Sequence, residues 1–282
     1  MKSCDPSTEV WRLLRIDTDP EHAELISDLL WSCGVLAVEE LALDSDRVRL
    51  FTHVDHGDDL VDRLVAVNPG VSVGWDEVPR SVADTWRAHA GPVHINDDHW
   101  IVPAWLDERP SGTMLRIEPA GTFGLGDHPT TLLGLRAALS VCLPGQRVHD
   151  HGAGSGVLAL ALSAWRGAVT STDDIAREAR SVIAHNARLN GLSEPLWCAD
   201  VASAGRGFDG IVANILAPVL RDNAPAIMAA VRGGGWIVLS GMRAQQVDGV
   251  VANYGECEVL NVDLLEGWGA VTLRKTPVGQ EI

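Results

Sequence analysis

Asp150-His151-Gly152-Ala153-Gly154-Ser155-Gly156 places three glycines at alternate positions directly behind a carboxylate. Glycines let a backbone turn tightly and approach a ligand without a side chain in the way. The apolar run from Val157 to about Arg166 predicts a helix after the loop, whose first amides face the same space. A dinucleotide fold typically uses G-x-G-x-x-G and seats a pyrophosphate over the helix start. Here the spacing is G-x-G-x-G, and Asp150 repels a pyrophosphate but can pair with an ammonium. S-adenosylmethionine carries an amino group and a sulfonium and no phosphate, so the loop favours that ligand.

Three further residues fall where such a ligand needs them. Asp174 lies 22 positions beyond Gly152, after a strand predicted from Ala168 to Ser171, and an acid about 20 residues past the loop is placed to bind ribose hydroxyls. Asp173 competes for that role, since only one of the two can point inward. Asp200 is expected to end a third strand near an adenine amine, with a solvated loop acid as the plainer alternative. Asn214 follows the apolar run Gly210 to Ala213 at the C-terminal end of a strand, the edge at which open α/β sheets bind ligands. Its amide oxygen can accept an amine N–H and aim the lone pair; otherwise it is an asparagine satisfying a turn.

Phe123 to Thr131 reads as a lid, with Phe123 over the cofactor or in the core, and with Pro129 and Thr130 starting a helix. His128 is tempting as a base, but a loop-structuring role is preferred because an amine can deprotonate to water. His149 and His151 look like an H-x-H metal pair. One alternates along a strand while the other enters the loop, and no third ligand is in sight, so no metal is expected.

The elements that must position these groups fall into two parts. Strand-like Val10 to Ile16, a helix opened by Asp19-Pro20-Glu21 and ended by Gly34, strands Val35 to Leu43 and Arg47 to His53, a helix Asp58 to Val67 and a strand Val71 to Trp75 give βαββαβ, the ferredoxin-like α+β pattern. A polar stretch with a possible helix from Ser81 to His89 follows. Short strands at Val93 to Ile95, Trp100 to Pro103 and Met114 to Ile117 precede an alternation of glycine turns, apolar strands and helical patterns, the α/β signature. We expect a recognition domain at 1–78, a connector at 79–92 and a cofactor domain at 93–282.

Composition bounds the partners. The 282 residues hold 38 acidic against 22 basic side chains, a net charge of −16, which argues against general nucleic-acid binding. Five widely spaced cysteines without a C-x-x-C pair fit neither a disulfide framework nor a zinc site and suit a reducing cytoplasm. No apolar run approaches a membrane span, and no signal-peptide h-region is visible.

Three stretches carry a family resemblance. Phe123-Gly124-Leu125-Gly126-Asp127-His128-Pro129-Thr130-Thr131 is close to F-G-T-G-x-H-P-T-T, Asp150 to Gly156 is close to D-x-G-C-G-S-G, and Ala213-Asn214-Ile215-Leu216-Ala217 matches A-N-I-L-A. On these the chain resembles the PrmA family, the ribosomal protein L-eleven methyltransferases, over nearly its whole length. The resemblance implies a Rossmann-like class I methyltransferase sheet behind the N-terminal domain, with S-adenosyl-L-methionine as cofactor. It also implies methyl transfer to amino groups of a basic ribosomal protein, recognised by the N-terminal domain, and a monomer. Carried over, the family's cofactor contacts fall on Thr131, Gly152, Asp174 and Asn214, with Asn214 orienting the acceptor amine; the set expected from the residues themselves adds Asp150, Gly154, Gly156, Phe123 and Asp200.

Departures from the pattern are Asp127 for threonine, His151 inside the loop, Ala153 for cysteine, and Arg243 in an apolar stretch. Asp127 and Arg243 leave open another amine substrate, on a different protein or a peptide. An NAD-dependent oxidoreductase shares the strand-loop-helix element but not the loop spacing. A non-catalytic binding module that retained the fold is the remaining alternative, and the intact matches at Gly152, Asp174 and Asn214 weigh against it.

Overall fold

The structure is a computed structural model and describes residues 10–32, 35, 38–44, 46–53, 60–79, 87, 90–96, 98–120, 122–176 and 178–277. The chain divides into two compact units between Ala90 and Gly91.

In the first unit β1 (Val10–Thr18), a helix (Pro20–Ser32), β2 (Glu39–Ala42), β3 (Val48–His53), a helix (Leu60–Val67) and β4 (Ser72–Pro79) follow in order. The strands form one antiparallel sheet, β2-β3-β1-β4. This is the ferredoxin-like arrangement expected from the βαββαβ order. Alternation explains its core: Leu14 and Ile16 of β1 are buried with Leu50 of β3 and with Ile26, Leu30 and Leu64 of the helices. Asp17 on the opposite parity turns outward and takes two bonds from Arg49, at 2.6 and 2.7 Å. The Asp19 carboxylate accepts the His22 amide at 3.0 Å and so satisfies a first-turn donor, with Pro20 needing none.

Two boundaries differ from expectation. β2 starts at Glu39 rather than Val35, because the Val35 amide still bonds the Leu30 carbonyl and its side chain packs into the core. β4 runs on to Pro79 past Trp75, because β1 is long enough to pair with it and Arg15 neutralises Asp76 at 2.8 Å. The stops and starts expected at Gly34 and Asp58 lie outside the described residues, as does the Ser81 to His89 helix apart from Arg87.

The second unit opens with a small sheet, β5-β6-β7 (Val93–Asn96, His99–Pro103, Thr113–Ile117). A helix, Pro129–Val141, leads into the main sheet. Its strands are β8 (Arg147–His151), β9 (Val169–Asp173), β10 (Leu196–Trp197), β11 (Phe208–Asn214), β12 (Val231–Arg243), β13 (Cys257–Leu265) and β14 (Trp268–Lys275). Their order is β10-β9-β8-β11-β12-β14-β13. The first five run parallel and β14 is antiparallel to both its neighbours. Ile211, Val212 and Ala213 of the central strand β11 are all fully buried, as a parallel strand covered on both faces requires. Among the described residues no helix is long and apolar enough to cross a membrane.

Candidate active site

The chain builds the sheet outward from β8 to β9 and β10, then returns to place β11 on the other side of β8. The crevice above the C-terminal ends of β8 and β11 is therefore the topological switch point, where open α/β sheets take their ligands. The glycine loop leaves β8 at that point and Asn214 ends β11 beside it.

Within the loop, Gly152 and Gly154 have φ of +73° and +54°, and both are half exposed. A Cβ at Gly152 would strike the Ile215 side chain, and one at Gly154 the Phe123 carbonyl. Both positions thus need glycine for conformation and for space. The helix Val157–Arg166 begins immediately after the loop.

The two adjacent acids divide the work of holding this loop. Asp174 is half-buried; its Oδ2 accepts the Gly154 amide and its Oδ1 the Ala176 amide, both at 2.7 Å. Each oxygen retains acceptor capacity for a further donor. Burial raises its carboxyl above the usual range. Asp173 is buried; its Oδ1 accepts the Gly152 amide at 3.2 Å and its main-chain carbonyl the Ala153 amide at 3.0 Å. Burial alone would raise the Asp173 carboxyl, but bonds from His149 and His151 outweigh it and hold the group below the usual range.

Asp150 corrects an expectation. The side chain is fully buried beneath the loop, and its Oδ1 bonds nothing. Its Oδ2 accepts the Ala159 amide at 3.0 Å in the first helical turn, so it ties β8 to the helix. Burial pushes its carboxyl up to about 8. Asp200 departs too: β10 ends at Trp197, and Asp200 is exposed in the following turn with Oδ1 on the Ser203 amide at 2.7 Å. Pairing with β9 ends one residue later, where the Cys198 amide bonds the Thr172 carbonyl at 2.8 Å.

His149 and His151 also differ from the reading of the sequence. Both lie inside β8, two residues apart on one face, and Asp173 on β9 supplies a third polar group to them.

On the other side of the crevice, Asn214 donates from Nδ2 to Thr131 Oγ1 at 3.4 Å. Its Oδ1 is buried with no hydrogen-bond partner. Thr131 itself is fully buried in the first turns of the helix Pro129–Val141, whose N-cap is His128. His128 Nδ1 accepts the Thr130 amide at 3.3 Å, and burial lowers the ring's pKa. A loop-structuring histidine was expected, and capping is what it does. Phe123 is 46% exposed, yet its carbonyl accepts the Ser155 amide at 2.9 Å, and Ser155 Oγ bonds the Gly124 carbonyl. The lid segment is thus strapped to the glycine loop. His128 stands edge-on to Phe123 and Trp268, at 5.4 and 5.0 Å between ring centres, and Arg243 lies over Trp268 at 3.9 Å.

Asn186 escaped the sequence reading. It is fully buried, donating to the Ser155 and Glu118 carbonyls at 3.0 Å each and accepting the Glu118 amide at 2.9 Å. The signal was a polar residue on the apolar face of the helix Ala179–Leu189, beside Val182 and Ile183. A surface cleft lined by Arg180, Ile183, Leu196 and Trp197, among others, contains none of the predicted site residues.

Comparison with known proteins supplies the family. The family described as ribosomal protein L11 methyltransferase (PrmA) matches residues 71–276. The chain belongs to the ribosomal protein L11 methyltransferase family. It is 32% identical over 287 residues to the ribosomal protein L11 methyltransferase of Thiobacillus denitrificans, covering 92% of this chain and 97% of that one. With the protein of the same description from Methylobacillus flagellatus it shares 32% over 291 residues, covering 93% and 98%. Among solved structures, a ribosomal protein L11 methylase from Lactobacillus delbrueckii subsp. bulgaricus aligns with a TM-score of 0.61 at 26% identity, over 66% of this chain and all of that one. The seven-stranded sheet with its reversed β14 is the class I methyltransferase sheet of this family, and the protein is related to the S-adenosylmethionine-dependent methyltransferases.

Proposed function

We propose that this protein transfers methyl groups from S-adenosylmethionine to amino groups of ribosomal protein L11, at the N-terminal α-amine, lysine side chains or both. The single observation that carries the chemistry is Asn214 Oδ1, a buried acceptor without a donor at the switch point. Leaving a buried polar atom unpaired costs about 1–3 kcal/mol, which an incoming N–H recovers.

Gly152 and Gly154 provide backbone that a ligand can approach, Asp174 offers acceptor oxygens to ribose hydroxyls, and Gly156 starts the helix. Thr131 holds the Asn214 amide, and Phe123 covers the crevice. Asp200 stands outside this set. No arginine or lysine bonds Asp173 or Asp174 among the described residues, which suits a cationic ligand and not a pyrophosphate. Bound there, S-adenosylmethionine supplies an activated methyl group on a sulfonium, so alignment is the protein's main task. Holding two reactants in attack geometry is worth roughly 7–11 kcal/mol.

Asn214 accepts an N–H of the neutral acceptor and aims its lone pair into the crevice. The amine must first lose a proton to solvent. An α-amine, with a pKa near ~7.7–8.0, does so more readily at neutral pH than a lysine near ~10.4. The protein acts in the cytoplasm as a monomer, and its acidic surface draws a basic protein substrate rather than nucleic acid.

The decisive experiment is the intact mass of purified L11 incubated with enzyme and S-adenosylmethionine. Added multiples of a methyl group support the reading. An unmodified L11, beside calorimetric binding of S-adenosylhomocysteine but not NAD, moves the acceptor to another amine. Asp127, exposed on the lid segment, and Arg243, stacked on Trp268, are the residues that favour that second acceptor. Binding of NAD and not of S-adenosylhomocysteine overturns the cofactor assignment.

A further inference from the structure

We propose that His149, His151 and Asp173 form a site for one divalent transition-metal ion of the zinc class, set in the floor of the glycine loop. Parallel pairing sets His149 opposite Ser171 and His151 opposite Asp173. Side chains alternate along a strand, so all four share one face of the sheet. Two imidazoles and a carboxylate offer ligand atoms that all lie within 4.8 Å of one another. His149 Nε2 is 3.1 Å from Asp173 Oδ2, and His151 Nδ1 is 2.7 Å from Asp173 Oδ1. A tetrahedral ion with bonds of about 2.0–2.2 Å needs its ligand atoms about 3.3 Å apart. The two histidine–carboxylate pairs must open by a few tenths of an ångström, and the widest pair of ligand atoms, at up to 4.8 Å, must close by about 1.5 Å.

The donor set is right in kind, since two histidines and one carboxylate hold zinc in enzymes that leave the fourth position to water. It is also supported from behind. His149 Nδ1 lies 2.9 Å from Ser171 Oγ, a hydroxyl that can turn to accept the ring's N–H and fix the ring's orientation. His151 Nε2 is buried and bonds nothing, so moving that ring's proton from Nδ1 to Nε2 gives up only the Nδ1–H bond to Asp173, which an ion between the two would replace. Each ring thus frees a lone pair by changing tautomer, and no proton has to leave. The charge fits as well. Asp174 stands close to Asp173, and the hydrogen-bond donors to both are histidines and backbone amides. His151 is the most exposed of the three ligands, with 12% of its side chain open, and marks the way in. An ion here would lock Asp173, and with it the Gly152 amide that Asp173 accepts.

The test uses the full chain, stripped with a chelator and dialysed against Zn(II), then read by elemental analysis. Co(II) in place of Zn(II) reports the geometry through its visible absorption. Expected is one Zn(II) per chain, a tetrahedral Co(II) band, and binding at least about 100-fold weaker in His151→Phe, which keeps the ring volume. His149→Phe should lose the ion as well. Circular dichroism and S-adenosylhomocysteine binding of each variant separate a lost site from a lost fold. No zinc on the wild type, or equal zinc on wild type and both folded variants, overturns the site and leaves the methyltransferase reading untouched.

Discussion

The two walls of the crevice are built to opposite specifications. On the β8–β9 side all the loop amides from Gly152 to Gly156 are hydrogen-bonded, although Asp150 Oδ1, His151 Nε2 and Thr172 Oγ1 behind them bond nothing. Asp173 and Asp174 fasten Gly152 and Gly154, Asp150 fastens the helix, and Phe123 and Gly124 fasten Ser155. On the β11 side Asn214 has one 3.4 Å contact to Thr131 and an unpaired oxygen, and the Phe123 ring is half open. A donor bound the same way in every turnover gains from a rigid wall, because the ordering cost is met on folding. The proposed protein acceptor gains from a wall that offers an unpaired oxygen.

The largest expected effect tests the open wall. Asn214→Ala should fold normally and lose about 100-fold in kcat, with a much smaller change in S-adenosylhomocysteine Kd, because one misaligned contact costs about that much. Turnover at the wild-type rate would remove Asn214 from the chemistry. Next comes the closed wall. Gly152→Ala forces a side chain to φ +73° and against Ile215. The left-handed conformation alone costs about 1–2 kcal/mol, so cofactor affinity should fall about tenfold or more and Tm with it. If Tm and affinity both hold, the wall is softer than its hydrogen bonds imply. Phe123→Ala should weaken cofactor binding by only about 2–10-fold, the worth of an aromatic contact, while Tm stays put because the strap to Ser155 runs through the backbone.

The smallest effect lies far from both walls. Arg49 holds the Asp17 carboxyl below its ordinary value of 3.8, chiefly through their hydrogen bonds. A depressed carboxylate stabilises the fold above that value and stops doing so as pH falls through its lowered pKa. Asp17→Asn should therefore lower Tm slightly at pH 7 and not at all once Asp17 is protonated in the wild type. A difference that persists in acid would mean that the substitution acts through packing instead.

Much of the donor side could be read along the chain because its signals are local. Alternate glycines, the helix after them and an acid one crossover later are separated by fixed element lengths. Asp174 was separable from Asp173 by alignment with the family's pattern, and the structure gives the two different faces. Asn214 was legible for a related reason, since an apolar run followed by a polar residue marks the end of a buried strand.

Asp150 and the His149–Asp173–His151 cluster were not legible in the same way. Whether a residue at a strand's end faces the ligand or the space under the loop depends on the tilt of the helix packed beyond it. Whether two strands whose paired residues lie 22 positions apart bring their polar side chains level depends on their register. Asn186 was visible only as a misfit on an apolar helical face, without any hint of what it would bond.

By itself the sequence determined the order of elements, the loop that needs three left-handed residues, and the strand-end asparagine, because each follows from conformational limits on neighbouring residues. Tertiary structure alone decided that His151 sits opposite Asp173, that Asp150 is shut beneath the loop, and that Asn214 keeps a buried oxygen unpaired. Those outcomes depend on how strands far apart in the chain align and on which atoms packing leaves in contact, and no local preference encodes either.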